Sequence, residues 1–98
     1  MKSHKLHPEA DKEYAEAAAY FSKIHADLGG RFYDEIEALI SDIRRYPLRY
    51  PIYDAPVRRH FSRVFPYSII YRDHPDIIII VAVMHMSRKP GYWKSRAD

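Results

Sequence analysis

The sequence predicts an α+β domain in which an N-terminal strand and a helical hairpin pack on a small, mostly antiparallel sheet. Between residues 10 and 46, apolar residues recur at steps of three and four, which is typical of amphipathic helices. From residue 57 onward the apolar residues alternate or run continuously between turn residues, which is typical of strands. The 98 residues suffice for one modest core. We therefore predict a single domain that spans residues 1–98.

The first half of the chain predicts one short strand and two helices. "HKLHP" has the length of an edge strand, and Pro8 suits the first turn of a helix, where a missing N–H costs nothing. One apolar stripe runs from Ala10 to Leu28, and we expect Gly29-Gly30 to end that helix. A second stripe runs from Phe32 to Tyr46 and stops before a proline. The two stripes predict a helical hairpin that turns at the glycines.

The second half predicts three strands in a meander. They are "VRRHFSRVF" (57–65), "PYSIIYR" (66–72) and "IIIIVAVMHM" (77–86). The three prolines of "PLRYPIYDAP" (47–56) indicate a loop before them, and "DHPD" (73–76) indicates a turn. Val57, Phe61 and Phe65 are expected along one face of the first of these strands.

The last strand is the most apolar, so we expect it to be central and covered on both faces. A turn about His74-Pro75 would pair Arg72 with Ile77 and Val64 with His85. This register places His85 on the same face of the sheet as Arg72, at the far end.

Composition and motifs exclude several classes of site. The chain has no cysteine, which excludes disulfides, thiolate zinc sites and cysteine nucleophiles. Neither phosphate-binding glycine motif is present, and the six histidines lack the spacing of metal ligands. We also find no secretory h-region and no apolar run near the roughly 18 residues of a membrane span. We expect a cytoplasmic protein with no metal, no cofactor and no membrane contact.

Charge is divided unevenly along the chain. Residues 1–43 hold five basic and nine acidic side chains, whereas residues 44–98 hold eleven basic and four acidic ones. A basic half with interleaved tyrosines indicates a polyanion or an acidic protein as partner, although an arginine-rich surface without such a partner fits equally. We interpret most of the carboxylates of the first half as solvated helix surface.

Basic and aromatic side chains are expected to gather at the sheet end that the last strand reaches. Arginine forks grip phosphates, tyrosines stack on bases, and a histidine transfers protons near neutral pH. A lone histidine at a strand end is also typical of a structural role, and Trp93 is predicted to anchor the C-terminus in the core. The expected group comprises Arg63, His85, Arg88, Lys89, Tyr92 and Lys94, with Arg58, Arg59 and His60 on the neighbouring strand.

Three segments, in this order, resemble the RelE/ParE superfamily of toxins from bacterial type II toxin–antitoxin (plasmid stabilisation) systems. They are "LGGRFYDEIEALISDIRRYP", "VRRHFSRVFPYSIIYR" and "VAVMHMSRKPGYW", and the likeness extends from about residue 7 to residue 93. The resemblance implies a helical hairpin on an antiparallel sheet. RelE-like members cut mRNA in the ribosomal A site without a metal, whereas ParE-like members poison DNA gyrase and are not nucleases.

The resemblance implies two alternative sets of functional residues. In a RelE-like toxin the catalytic surface would hold His85, Arg63, Arg88 and Tyr92. The strand "VRRHFSRVF" lacks the lysines of the best-known nucleases, and an arginine is a poor general base, so the ParE-like branch is favoured. Residues expected to bind the target or the antitoxin are Arg58, Arg59, Arg72, Lys89, Lys94 and Arg96.

The resemblance also implies the partners. A toxin of this kind forms a hetero-oligomer with a cognate antitoxin, whose C-terminal segment wraps the toxin, and contacts operator DNA only through the antitoxin. Its target is DNA gyrase or the ribosome with its mRNA. A basic second half would attract an acidic antitoxin segment. Because fold does not fix function, a non-toxic binding module of the same fold is a third interpretation.

Overall fold

The computed structural model describes residues 1–97, which form two α-helices packed on a five-stranded sheet. The strand order is β1-β5-β4-β3-β2, with β1 parallel to β5 and all other neighbours antiparallel. The elements in chain order are β1 (His4–Leu6), α1 (Pro8–Ile24), α2 (Ala26–Arg45), β2 (Ile52–Asp54), β3 (Val57–Phe61), β4 (Tyr67–Asp73), β5 (Ile78–His85) and a 3₁₀ turn (Lys94–Arg96). The predicted α+β fold is confirmed, with β2 as an extra edge strand in the segment expected to be a loop.

The helical hairpin turns at His25 and not at the glycine pair, so that prediction was wrong. The His25 N–H donates to the carbonyl of Phe21, and its Nδ1 accepts the N–H of Asp27, which ends α1 and begins α2. Gly29 lies inside α2, where an added Cβ would overlap Ser22 and lie 3.0 Å from the Ala18 carbonyl oxygen. This glycine therefore permits the close approach of the two helices.

Strand β3 is shorter than predicted because Ser62 starts a turn. Its Oγ accepts the N–H groups of Val64 and Phe65 at 3.0 and 2.9 Å. The turn reverses the chain, so Val57 and Phe65 lie on opposite faces of the sheet, and Phe61 is exposed. The prediction that these three residues share one face was wrong.

The register between β4 and β5 also differs from the predicted one. Arg72 pairs with Ile79 rather than with Ile77, and His85 pairs with Tyr67 rather than with Val64. Part of the difference arises because Asp73 already pairs with β5, which leaves residues 74–77 for the turn.

The rest of the register difference comes from an irregularity between Ile70 and Tyr71 that leaves Val81 without a partner on β4. An extra residue in one strand moves every later side chain to the opposite face. His85 therefore lies toward the helices, while Arg72 lies on the other face. The predicted common face for these two residues was wrong.

Each face of the sheet has its own core. The helix-side core lies between the sheet and the helical hairpin, and the tail-side core lies beneath the C-terminal segment, residues 86–97. The helix-side core includes Phe32, Ile36, Ile43, Ile69, Tyr71 and Ile80, among others. The tail-side core holds Val57, Ile70, Val81, Ala82, Met84 and Trp93. Strand β5 is thus covered on both faces, as predicted, and Trp93 anchors the segment.

Candidate functional site

A pocket of about 220 Å³ opens where α1, the end of β5 and the C-terminal segment meet. We call it the β5 pocket. It brings together three of the four residues predicted for a nuclease, which are His85, Arg88 and Tyr92. The remaining lining residues are Glu13, Glu16, Ala17, Tyr20, Tyr67 and Val83.

One carboxylate organises this region. Glu13 Oε2 accepts the Tyr92 hydroxyl at 2.8 Å and lies 3.8 Å from Arg88, while Oε1 accepts Arg96 at 3.0 Å. Oε1 also accepts the backbone N–H of Val83 at 3.1 Å. Only 15% of the Glu13 side chain is exposed. We call these five residues the Glu13 clasp, because they join α1 to the C-terminal segment around the edge of the sheet.

The Glu13 clasp covers an open strand edge. β1 pairs with β5 only at Ile78, Ile79 and Ile80, so the edge of β5 from Val81 to His85 has no neighbouring strand among residues 1–97. Glu13 accepts the Val83 N–H, and the Arg96 guanidinium donates to the Val81 carbonyl at 3.3 Å. Two side chains thus occupy the positions where a neighbouring strand would bond, a common way to protect a sheet edge.

Tyr92 is held as a hydrogen-bond donor. Burial raises the pKa of its hydroxyl well above the ordinary value, and the hydrogen bond to Glu13 raises this pKa further. The guanidinium carbons of Arg88 and Arg96 lie 3.7 and 5.1 Å from the centre of its ring. At neutral pH the phenol is therefore protonated and directed at a carboxylate, an arrangement that does not suit a general base.

His85 is half-buried at the rim of the pocket and caps the turn that follows β5. Its Nδ1 accepts the backbone N–H of Ser87 at 3.0 Å and lies 2.7 Å from the Ser87 hydroxyl. The edge of the ring meets Tyr67, with 5.0 Å between ring centres. Because Nδ1 is engaged as an acceptor, Nε2 is the ring nitrogen available to the pocket.

Arg63 lies apart from these residues. It is exposed in the turn after β3 and lines a different pocket, beside α2, with Glu35, Asp42 and His60. There His60 Nε2 lies 3.0 Å from Asp42 and its ring stacks on Tyr50. The expected gathering of four nuclease residues is therefore incomplete.

Two of the arginines expected to bind a partner hold the chain's own loops. Arg58 donates to the carbonyl of Tyr50 at 2.8 Å, and Arg72 donates to the carbonyl of Ala97 at 2.6 Å. Both are half-buried. Their contacts show that they stabilise the segments before β2 and at the C-terminus.

The other four expected binding residues differ in how exposed they are. The guanidinium carbon of Arg59 lies 4.5 Å from the centre of the Tyr53 ring. Lys94 Nζ lies 3.3 Å from an Asp54 carboxylate oxygen. Like Arg63, Lys94 does not line the β5 pocket. Lys89 is exposed beside the pocket rim, and Arg96 is committed to the Glu13 clasp.

Sequence reasoning missed Glu13, because the carboxylates of the first half were interpreted as solvated surface. That interpretation fits Glu16, which is exposed, but not Glu13. A signal was present: Glu13 stands three residues after Ala10 and four before Ala17, both buried, and such positions share a helix face. A carboxylate within an apolar stripe indicates a buried partner.

Two further features were sought in the part of the chain that the structure describes, namely metal-ligand groups and membrane-spanning helices. Within residues 1–97 there is no group of His, Asp and Glu side chains that could hold a metal ion. None of the helices in that range is long and apolar enough to cross a membrane.

Comparisons with known proteins identify the family. Residues 5–90 match the model of the ParE toxin of the type II toxin–antitoxin system parDE. A solved structure, the chromosomal ParDE toxin–antitoxin system from P. aeruginosa, superimposes with a TM-score of 0.77 at 14% identity, covering 89% of this chain and 98% of that one. A search of curated proteins found no match. The family match spans most of the chain, which is therefore a member of the ParE toxin family of type II toxin–antitoxin systems.

Proposed function

We propose that this chain arrests bacterial growth by binding DNA gyrase and that a cognate antitoxin neutralises it. Membership of the ParE family supports the proposal. The observation that carries it is that the residues expected to form a nuclease surface are engaged in internal contacts or lie apart. Tyr92 and Arg88 are turned toward Glu13, and Arg63 lies in another pocket. A surface that binds a protein needs none of these residues to be free for chemistry.

The charge of the β5 pocket also disfavours an RNA substrate. Glu13 and Glu16 both line it, so a phosphodiester placed against His85 would meet two carboxylates. Like charges at short range repel, and more strongly where burial lowers the effective dielectric. Arg88 alone among the pocket's lining residues brings a positive charge, and it already faces Glu13.

A RelE-like mRNA endonuclease is the second candidate. It is favoured by one observation, namely that His85, Arg88 and Tyr92 line a single pocket at the end of β5. In that role His85 would face the ribose through Nε2. Because Nδ1 accepts the Ser87 N–H, the neutral ring carries its proton on Nε2, and His85 could act as general base there only after a change of tautomer. The Glu13 clasp would have to open on the ribosome to release Arg88 and Tyr92.

The discriminating experiment is to induce the toxin and follow new DNA and new protein by brief isotope labelling. A gyrase toxin stops DNA synthesis first, and the purified protein inhibits supercoiling by gyrase. His85→Ala should leave both effects intact, since gyrase binding requires no proton transfer. Early loss of translation with cleaved mRNA, abolished by His85→Ala in a folded protein, would establish the endonuclease instead. Soluble protein that causes no arrest would favour the non-toxic binding module.

The same proposal includes the partners and the compartment. An antitoxin encoded beside the toxin would bind it in a hetero-oligomer and carry it to operator DNA. Gyrase acts on chromosomal DNA, so the toxin would act in the cytoplasm. Co-expression with the neighbouring gene should restore growth and yield a stable complex on purification.

A further inference from the structure

We propose that the β2 side of the molecule binds the phosphate backbone of duplex DNA, so that the toxin contacts the DNA held by gyrase as well as the gyrase protein. Three arginines carry this contact, namely Arg45, Arg49 and Arg59, and we call them the arginine edge. The inference rests on the proposed function for the source of the DNA, because gyrase is the enzyme that brings DNA to the toxin.

The segment of residues 44–63 concentrates positive charge without a matching negative charge. It holds six arginines and a single carboxylate, Asp54. Within residues 1–97 none of these six arginines forms an ion pair, and Asp54 faces Lys94, which lies outside the segment. Unpaired positive charge on a surface attracts a polyanion, and binding then releases the small cations condensed around that polyanion.

Backbone contacts fix this segment as one surface on the sheet. Arg58 donates to the carbonyl of Tyr50 at 2.8 Å, and the N–H of Arg59 donates to the carbonyl of Pro51 at 3.0 Å. These bonds tie the loop before β2 to β3. Arg45 is exposed in the last turn of α2, where that loop begins. The arginine edge therefore surrounds a rigid part of the fold.

Two of the three guanidinium groups are held in position by tyrosine rings. The guanidinium carbon of Arg49 lies 4.1 Å from the centre of the Tyr46 ring, and that of Arg59 lies 4.5 Å from the centre of the Tyr53 ring. A guanidinium over a ring keeps its in-plane N–H donors, which match phosphate oxygens as a fork. Such an arginine loses less freedom when it binds phosphate, since its side chain is already placed.

The same tyrosines favour a duplex over a single strand. Proteins bind single-stranded nucleic acids by stacking bases on aromatic rings. Here Tyr46 and Tyr53 each have a face under an arginine, and Tyr50 stacks on His60 with 3.8 Å between ring centres. Tyr50 and Tyr53 are also half-buried. Little ring area is left for bases, so the segment suits a ligand that presents only phosphates.

Charge density favours DNA over an acidic protein segment. Duplex DNA carries one negative charge per about 1.7 Å of its axis. An extended peptide advances about 3.3 Å per residue, so it would need an acidic residue at every position to reach half of that density. Arginines that are close in sequence, such as Arg45 and Arg49, can therefore each meet a phosphate of one duplex.

The first test measures binding of the purified toxin to a short labelled duplex of arbitrary sequence, by fluorescence anisotropy at several salt concentrations. If each member of the arginine edge neutralises one phosphate, the logarithm of the binding constant falls against that of the salt concentration with a slope of about −2.7. Binding then weakens about fortyfold between roughly 50 and 200 mM salt. Arg45→Gln/Arg49→Gln should reduce the slope to about −0.9.

The matched control is Lys23→Gln/Arg31→Gln, which removes the same amount of charge. Both residues are exposed, belong to no ion pair within residues 1–97, and lie near the turn at His25. Arg31 is about 21 Å from Arg45 along α2, well beyond the screening distance of about 8 Å at physiological salt. This control should therefore keep the slope of the unaltered toxin.

Three results would overturn the proposal. The first is that folded toxin binds no duplex at low salt, and the second is that the two double variants have equal slopes. The third is that another polyanion fits better, shown by tighter binding of single-stranded RNA or by displacement of the duplex by polyglutamate at equal charge concentration.

The second test measures the affinity of the toxin for gyrase with and without bound DNA. The unaltered toxin should bind the gyrase–DNA complex at least about tenfold more tightly than gyrase alone, because the two contacts then act together. Arg45→Gln/Arg49→Gln should lose most of that gain and bind DNA-free gyrase as the unaltered chain does. An affinity that ignores DNA, or an equal loss with and without DNA, would contradict the proposal.

Failure of this inference is distinguishable from failure of the proposed function. If the toxin inhibits supercoiling but shows no salt-dependent binding to the duplex, only the role of the arginine edge is wrong. If the toxin binds the duplex through these arginines but leaves gyrase active, the proposed function fails and the DNA contact stands by itself.

Discussion

The two faces of the sheet are covered in different ways. On the helix side, two long helices close a core in which Phe32, Ile36 and Ile43 are fully buried. On the tail side, twelve residues without a regular helix longer than one 3₁₀ turn cover a smaller core, with Trp93 as their one large anchor. The helix side is thus built by apolar burial along two helices.

On the tail side, polar contacts contribute more to fixing the C-terminal segment on the sheet. Arg72 binds the carbonyl of Ala97, Lys94 faces Asp54, and Tyr92 and Arg96 bind Glu13. A partner can exchange such contacts one for one, whereas it cannot replace an apolar core without unfolding it. The comparison therefore predicts that the tail side is the face that rearranges when the toxin meets its antitoxin or its target.

The largest expected difference is between Ile36→Ala and Trp93→Ala. Ile36 lies within the main core, so its truncation should lower the free energy of unfolding by about 2–5 kcal/mol. Trp93→Ala should lower it by less, although tryptophan is larger, because the C-terminal segment can detach without unfolding the sheet. Urea unfolding followed by far-ultraviolet circular dichroism measures both values. An equal or larger loss for Trp93→Ala would show that the two sides form one cooperative unit.

The next effect concerns the Glu13 clasp. Glu13→Gln should weaken docking of the C-terminal segment by about 1.5–3 kcal/mol, the usual size for hydrogen bonds to a charged group. Faster amide exchange in residues 92–97, with unchanged exchange in α2, is the expected result. Glu16→Gln, one turn later on the same helix, is the matched control and should have no effect. If both variants behave alike, the clasp does not hold the segment.

The same comparison explains what the sequence could predict. Periodicity predicted the existence and order of both helices and of the apolar strands, although not the turn between the helices or the end of β3, because burial on one face or on two leaves a repeating pattern. Register was not predictable, since one unpaired residue at Val81 moves His85 to the other face without any local sequence signal. The Glu13 clasp depends on contacts between α1 and a segment about eighty residues later, and such pairs follow only from the assembled fold.

Of the predicted site, His85, Arg88 and Tyr92 were brought together because they follow one another closely along the chain after β5. Arg63 was misplaced because its position depends on the turn at Ser62, which replaces the end of the expected strand. The prediction that Gly29-Gly30 ends the first helix was wrong for a related reason. Gly29 is needed for helix packing, and a turn and a close approach use the same residue type.

That glycine pair offers a smaller test of how tightly the helix side is packed. Gly29→Ala places a methyl group against Ser22 and the Ala18 carbonyl, so it should destabilise the fold by about 1–3 kcal/mol. Gly30→Ala meets nothing within 4 Å and should stabilise α2 by about 0.5–1 kcal/mol. Thermal and urea unfolding of the two variants measure the difference. Equal effects would mean that α1 moves aside readily and that the helix side is as adaptable as the tail side.

The smallest expected effect comes from two matched tyrosine–glutamate pairs, one on each side of the molecule. Tyr14 donates to Glu37 and Tyr92 donates to Glu13, each at 2.8 Å. Burial and these hydrogen bonds raise the pKa of both hydroxyls above the ordinary value of about 10. Because folding favours the neutral phenol, each pair stabilises the protein fully below about pH 10, and this contribution is lost as the pH rises further.

Replacing either tyrosine with phenylalanine should cost about 0.5–1.5 kcal/mol at neutral pH and should flatten the alkaline loss of stability. Tyr14→Phe is expected to act on global unfolding, since Tyr14 belongs to the helix-side core. Tyr92→Phe is expected to act mainly on amide exchange of the C-terminal segment. Urea unfolding at neutral and alkaline pH, combined with exchange, separates the two effects. A global loss from Tyr92→Phe as large as that from Tyr14→Phe would mean that the segment unfolds only with the whole domain, and a partner could then not exchange its contacts independently.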